Sequence, residues 1–280
     1  MVVAVWGTNF VIMHEGLAHF PSLTFATLRF FFAAFPLVFL VPRPKTGMLR
    51  IAAYGVLIGV GQFGLLLYAL NGHIAPGLAS LLIQTQVFFT VALAVLINGE
   101  RVGPRNLFAL ALSAAGVGSI ALHTGGGNDL LGICLVLGAA LGWAGGNIVA
   151  KHAGAIDMFG LVIWSSLFAV PPLLAGALIL EGLPAMTSAV TAATPTAWAT
   201  VLWQSLGNSV FGYGVWNWLL SRHTAARIAP LSLMVPVFGM SAASLFLGEA
   251  MPLWKLGAAM LIIAGLVINL RAPPVAQAAA

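Results

Sequence analysis

The feature that most constrains this chain is the length of its uncharged runs. Stretches of roughly twenty apolar residues, long enough to cross a bilayer, follow one another along the chain, and the charges fall mostly between them. The 280 residues include only 11 Lys and Arg and 6 Asp and Glu. A soluble domain is about a quarter charged, so this chain cannot solvate a globular surface. A soluble enzyme, a nucleic-acid binder and a disordered protein are excluded on that ground. The net charge of +5 comes from basic residues scattered between the runs without a cluster, a pattern of membrane orientation rather than of nucleic-acid contact. The single cysteine, Cys134, can form no internal disulfide and no cysteine metal site. Met1 leads directly into apolar sequence with no basic segment before it, so no cleavable signal is expected.

Breaking the runs at charges, prolines and glycine clusters predicts ten helices, near 1–18, 22–41, 49–70, 76–97, 105–122, 130–150, 158–180, 197–220, 228–247 and 253–271. The first run is short before His14 and Glu15. Either the chain continues upstream, or those two residues sit at a watery outer end. With the N-terminus inside, Arg43, Lys45, Arg50, Arg101, Arg105, Lys151, Arg222, Arg227 and Arg271 fall on the inner side and only Lys255 on the outer side. The positive-inside rule then puts both termini in the cytoplasm. Residues 181–196 become an outer loop.

The two halves of the chain echo each other. WGTNFVIMH (6–14) resembles WAGGNIVAKH (143–152), which pairs Asn9 with Asn147. Three further matches follow in the same order: 28–37 with 164–173, 73–100 with 223–249, and 107–122 with 256–270. Five helices per half is an odd number, so the second half enters from the opposite side. The expected architecture is an all-α integral membrane protein of ten transmembrane helices in two inverted five-helix repeats, 1–123 and 129–271, followed by a cytoplasmic tail, 272–280. Inverted halves provide two similar conformations facing opposite ways, the geometric basis of alternating access.

Certain motifs carry a family likeness: Trp6-Gly7-x-Asn9-Phe10 in the first helix, Arg29-Phe30 in the second, and the Gly99-Glu100 and Gly248-Glu249 pairs closing the fourth and ninth. Through them the chain resembles EamA-type permeases of the drug/metabolite transporter superfamily, over residues 4 to 271, and is similar to the aromatic amino-acid exporter (YddG-like) branch. The resemblance implies ten helices and export of small metabolites. The superfamily usually carries a proline midway along the fourth helix. Pro236 fits that pattern in the ninth helix, whereas the fourth has Gln86 at the matching place.

Polar groups at membrane depth face protein or a water-filled cavity. Arg29 is the only charge in mid-helix. It is either a partner for a substrate carboxylate or a structural arginine paired with helix-end carbonyls or Glu15. In the fourth helix Ser80 and Gln84 share one face, and Gln86 and Thr90 share the opposed face, so that helix should be central. The eighth helix carries Gln204, Asn208, Ser205, Ser209, Tyr213 and Asn217, the longest polar stripe. Asn9 and Asn147 lie beside Trp6 and Trp143, a pairing that suits a ligand with an apolar body and a polar head. Trp164 and Trp216 are deep enough to stack on an aromatic ring. The candidate substrate-binding set is therefore Asn9, Gln84, Gln86, Trp143, Asn147, Trp164, Asn208 and Tyr213, with Arg29 as the charge partner. Each has an alternative role in holding helices together.

No Asp or Glu lies in mid-helix, so coupling through a buried carboxylate is not expected. Facilitated diffusion, or coupling through His73 or His223, remains. No phosphate-cradling loop is present, and no cofactor or metal is expected. The histidines, His14, His19, His73, His123, His152 and His223, are scattered without a paired acid at fixed spacing, against a membrane-embedded transferase. A channel would need a continuous polar pore. The reading is a carrier in the plasma (bacterial inner) membrane, not an enzyme. It exports amino acids, aromatic and hydrophobic ones included, with other metabolites or drugs of the superfamily as the alternative. The sequence leaves the oligomeric state open, a monomer included.

Overall fold

A computed structural model describes residues 1–98, 103–122, 129–153, 156–216 and 234–271. Among the described residues every regular element is helical. Helix α1 is Val2–Leu17. Helix α2 is Ser22–Ala34, followed by a cis Phe35–Pro36 bond and a 3₁₀ turn, Leu37–Phe39. Helix α3, Met48–Leu70, widens into a π-helix over Leu57–Gly64. Helix α4 begins as Pro76–Leu82, tightens to 3₁₀ over Ile83–Thr85 and resumes as Gln86–Asn98. Then come α5 (Pro104–Leu122), α6 (Leu130–Ala153) and α7 (Met158–Leu180). A short α8, Leu183–Thr191, precedes α9, which runs from Pro195–Leu202 into a π segment, Trp203–Tyr213. Helices α10 (Met234–Leu247) and α11 (Leu253–Arg271) complete the described chain.

The expected outer loop at 181–196 is corrected by α8. Gly182, with φ of 82°, ends α7, and Pro184 falls at the start of the next helix, where its missing N–H costs nothing. No residue of α8 is buried. Gly99, Glu100, Arg101, His123, Asn217, Arg222, His223, Arg227 and the tail 272–280 lie outside the described residues, as does the side chain of Lys151.

Lipid is legible on the outside of the fold. Ile179, Leu245, Phe246, Leu253 and Met260 are exposed along helix faces, a waste of apolar surface in water. Among the described residues four helices are long and apolar enough to cross a membrane by length and composition: Ser22–Phe39, Met48–Leu70, Leu130–Ala150 and Met158–Leu180. The opening of α4 is the opposite case, because every residue from Pro76 to Thr85 is buried. It packs between α10 and α6, so α4 is central, as its two polar faces require. Helix α1 packs on α10 and α9, α2 on α7, α3 on α6 and α7, and α5 on α11.

Candidate substrate cavity

The site begins with the two π segments. A π turn bonds residue i to i+5 rather than i+4, and this re-aims the polar stripe of α9. Gln204, Ser205, Asn208, Ser209, Gly212 and Tyr213 are all buried, and the Ser209 hydroxyl donates to the Gln204 carbonyl five residues back at 3.0 Å. In α3 the π stretch presents Gln62 inward. Its amide nitrogen donates to the Tyr213 hydroxyl at 3.0 Å, and that hydroxyl lies 3.2 Å from Gln62 Oε1.

Gln204 is the hub of a buried network. Its Oε1 accepts from Arg29 Nη1 at 2.8 Å, Asn208 Nδ2 at 3.2 Å and Asn9 Nδ2 at 3.3 Å. Its Nε2 donates to Asn9 Oδ1 at 2.9 Å. Arg29 Nε donates to Ser209 Oγ at 3.0 Å, and its guanidinium carbon stands 3.4 Å from the centre of the Phe63 ring. Arg29 is wholly buried, and its hydrogen bonds are to neutral groups.

A small cavity opens in front of this network. Trp6, Phe10, Phe63, Leu66 and Trp143 form much of its wall, and Asn9, Gln62, Asn208 and Tyr213 supply the polar groups. Trp6 is the aromatic centre, with ring centroids 6.0 Å from Trp143, 5.1 Å from Tyr213 and 5.1 Å from Trp216. Among the described residues no charged side chain lines this cavity. A second space of about 270 Å³ shares Phe63 and Tyr213 with the first and is otherwise lined by Ser165, Ser166, Ser209 and Tyr54 among others.

The candidate set is thus divided. Asn9, Trp143, Asn208 and Tyr213 meet at the cavity. Gln84 is buried in the tight turn of α4, next to the cavity-lining Ile83, and neither amide atom finds a partner among the described residues. Gln86 and Asn147 instead tie α4 to α6, with Asn147 Nδ2 donating to Gln86 Oε1 at 3.0 Å. The Trp164 indole N–H donates to Val41 O at 3.0 Å, which fixes that ring against the segment that follows α2. Arg29 stands behind Gln204, and Glu15 is not its partner, since Glu15 faces His19 at 3.3 Å. Sequence reasoning passed over Gln62, although it is the lone polar side chain in the glycine-spaced run 57–64. It noted Gln204 without seeing it as the hub.

Two histidines, expected without acids, do have them. His19 contacts Glu15, and His73 contacts Asp129 at 2.8 Å. The His73 hydrogen bond, helped by the Gly132 N–H, holds the Asp129 carboxyl below its ordinary value. Both pairs sit at helix ends. Among the described residues no group of three His, Cys, Asp or Glu side chains could hold a metal. Lys255, expected as a lone outer cation, is buried and donates to Glu249 at 2.7 Å.

The sequence pattern of the EamA-like transporter family matches residues 1–122 and 130–271. A Salmonella typhimurium (strain LT2) protein named "Probable amino-acid metabolite efflux pump" is 39% identical over 275 residues, 96% of this chain and 92% of that protein. An Escherichia coli (strain K12) protein of the same name is 38% identical over the same shares. A Streptantibioticus cattleyicolor protein named "Probable terminal-alkyne amino-acid exporter" is 26% identical over 96% of this chain and 90% of its own length. A solved crystal structure shares the fold, with a TM-score of 0.63 at 15% identity over 96% of this chain and 94% of that one.

Proposed function

The chain belongs to the EamA-like transporter family, and from that premise we propose that it exports small amino-acid-like metabolites by alternating access through the central cavity. It is a multi-span, all-helical membrane transporter and not an enzyme. The observation that carries the proposal is the lining of the cavity: aromatic faces for an apolar side chain, and amides and a phenol for a polar head. Amides can both donate and accept, so they serve an ammonium and a carboxylate without fixed charge. A sugar phosphate fits poorly, since several basic groups would be needed to offset its charge. The names of the Salmonella, Escherichia and Streptantibioticus relatives support the same substrate class.

Two inverted five-helix halves, 1–123 and 129–271, provide the two conformations. The packing supports this. If α1 is exchanged with α6, α2 with α7, α3 with α9, α4 with α10 and α5 with α11, the pair α1–α10 becomes α6–α4 and the pair α3–α6 becomes α9–α1. Both partner pairs are in contact. The basic asymmetry supports cytoplasmic termini in a bacterial inner membrane. The test is counterflow in proteoliposomes with a panel of amino acids. A carrier shows trans-stimulated exchange, and a channel does not. Exchange of sugar phosphates with indifference to amino acids would refute the substrate class.

A further inference from the structure

We propose that Arg29 recognises the substrate's carboxylate, becoming reachable when the Phe63 ring and the Gln204 amide give way; this rests on the export of amino-acid-like metabolites proposed above. Arg29 is a fully buried cation whose hydrogen bonds, among the described residues, go to the neutral groups Ser209 and Gln204. Its Nη2 has no hydrogen-bond partner among the described residues. The described carboxylates are engaged elsewhere: Glu15 with His19, Asp129 with His73, Asp157 with Phe159 N, Glu181 with the start of α2, and Glu249 with Lys255. The sixth, Glu100, lies outside the described residues.

A buried charge lacking a counter-ion is strongly unfavourable. The face of Phe63 and the oxygen of Gln204 compensate the cation in part. A carboxylate does so far better, because the planar guanidinium presents paired N–H groups that match its two oxygens. The position is suited to a ligand from the cavity. Phe63, over which the guanidinium lies, lines both spaces, and Ser209, its hydrogen-bond partner, lines the second. Groups in contact with the guanidinium therefore line both spaces. Asn208 commits its Nδ2 to Gln204, which leaves Oδ1 as an acceptor for the ammonium of the same substrate. A zwitterion thus finds a donor fork, an acceptor and aromatic walls within one site.

The experiment uses the full chain. Trp6 and Trp143 at the cavity report binding through tryptophan fluorescence in detergent. L-leucine, L-phenylalanine and L-serine are each compared with their carboxamides, and counterflow in proteoliposomes is run in parallel. The wild type is expected to favour each acid over its amide by roughly tenfold or more, the size of one charge-assisted contact. Arg29→Gln should bring that ratio close to one. Gln204→Glu decides the matter even if Arg29→Gln does not fold. It keeps the side-chain shape and sets a carboxylate oxygen where Gln204 Oε1 now stands, 2.8 Å from Nη1. An internal counter-ion should lower the acid-to-amide binding ratio by roughly tenfold, a ratio in which the loss of the donor to Asn9 Oδ1, common to both ligands, cancels. A purely structural arginine would instead be stabilised with acid binding intact, and that result overturns the proposal. Equal binding of acid and amide by a wild type that exchanges amino acids also overturns it alone. A wild type that exchanges no amino acid removes the export reading, and this proposal with it.

Discussion

Glu181, at the end of α7, accepts the Thr24 backbone N–H at 2.9 Å and the Thr24 hydroxyl at 2.7 Å, so its carboxylate closes the start of α2. Helix α2 follows Pro21 and has no cap of its own. Its first N–H groups would otherwise be unsatisfied at a helix end. Glu181 also takes Leu23 N at 2.6 Å and Ser22 Oγ at 3.3 Å. A negative group there also suits the helix dipole.

Glu181→Ala should therefore destabilise the protein by about 1–3 kcal/mol, the cost of leaving such donors unpaired. Glu181→Gln should lose less, since one oxygen still accepts. Thermal unfolding in detergent measures both. A wild-type midpoint in Glu181→Ala would contradict the capping role.

Asn208 and Asn147 should separate binding from packing. Asn208 faces the cavity, and its Ala variant should weaken substrate binding several-fold, about 1 kcal/mol, raising KM more than it lowers kcat. Asn147 bonds Gln86 across α6 and α4, so Asn147→Ala should lower the unfolding midpoint by a similar energy and move KM little. Gln84→Ala, next to the cavity-lining Ile83, should also weaken transport. Counterflow kinetics and unfolding on the same preparations check all three.

Gly142 permits a close approach between the backbones of α6 and α3. A Cβ there would stand 2.6 Å from Gly61 C and 2.9 Å from Gln62 N, both rigid backbone. Gly142→Val should push the helices apart and displace Gln62 from Tyr213. Folded yield and transport should both fall sharply, by comparison with Gly257→Val, where an added Cβ meets nothing within 4 Å.

The His73–Asp129 pair gives a pH dependence of known sign. The folded Asp129 carboxyl is held below its ordinary value, mainly by the hydrogen bond from His73. A depressed carboxyl contributes stability above its unfolded value, about 3.9, and loses it as the pH falls through the lower folded value. The pair is solvent-exposed, so the contribution is small. Unfolding midpoints below about pH 4 should fall less steeply in Asp129→Asn than in the wild type.

Orientation is tested by cysteine labelling in a Cys134→Ala background. A cysteine at Lys45 should resist impermeant reagents added outside intact cells, and one at Ala192 should react. Outside labelling at Lys45 would sink the assignment of cytoplasmic termini.

The apolar runs placed the helices because in lipid a backbone must satisfy its own hydrogen bonds, and charges mark where it can stop. That logic located α1 to α7 closely and failed at 181–196, where Glu181, Gly182 and Pro184 read as loop although a helix starts at Leu183. The candidate site was half legible. Asn9, Trp143, Asn208 and Tyr213 stood out as polar or amphipathic groups at depth, and they do meet at the cavity. Trp164 and Asn147 looked equivalent in sequence. The structure gives the first to Val41 and the second to Gln86.

The reason is geometric. A sequence states that a polar side chain inside lipid must find a partner, but not which one. An ideal helical wheel turns a fixed angle per residue, and the π segments of α3 and α9 break that rule. The sequence by itself determined a membrane-spanning helical chain with a buried arginine and no mid-helix acid. Only the tertiary structure decided that Arg29 meets Gln204, that Gln62 meets Tyr213, and that these pairs stand behind and beside one cavity. Those contacts join residues more than 150 positions apart, and the packing of whole helices, not any local preference, sets their distance.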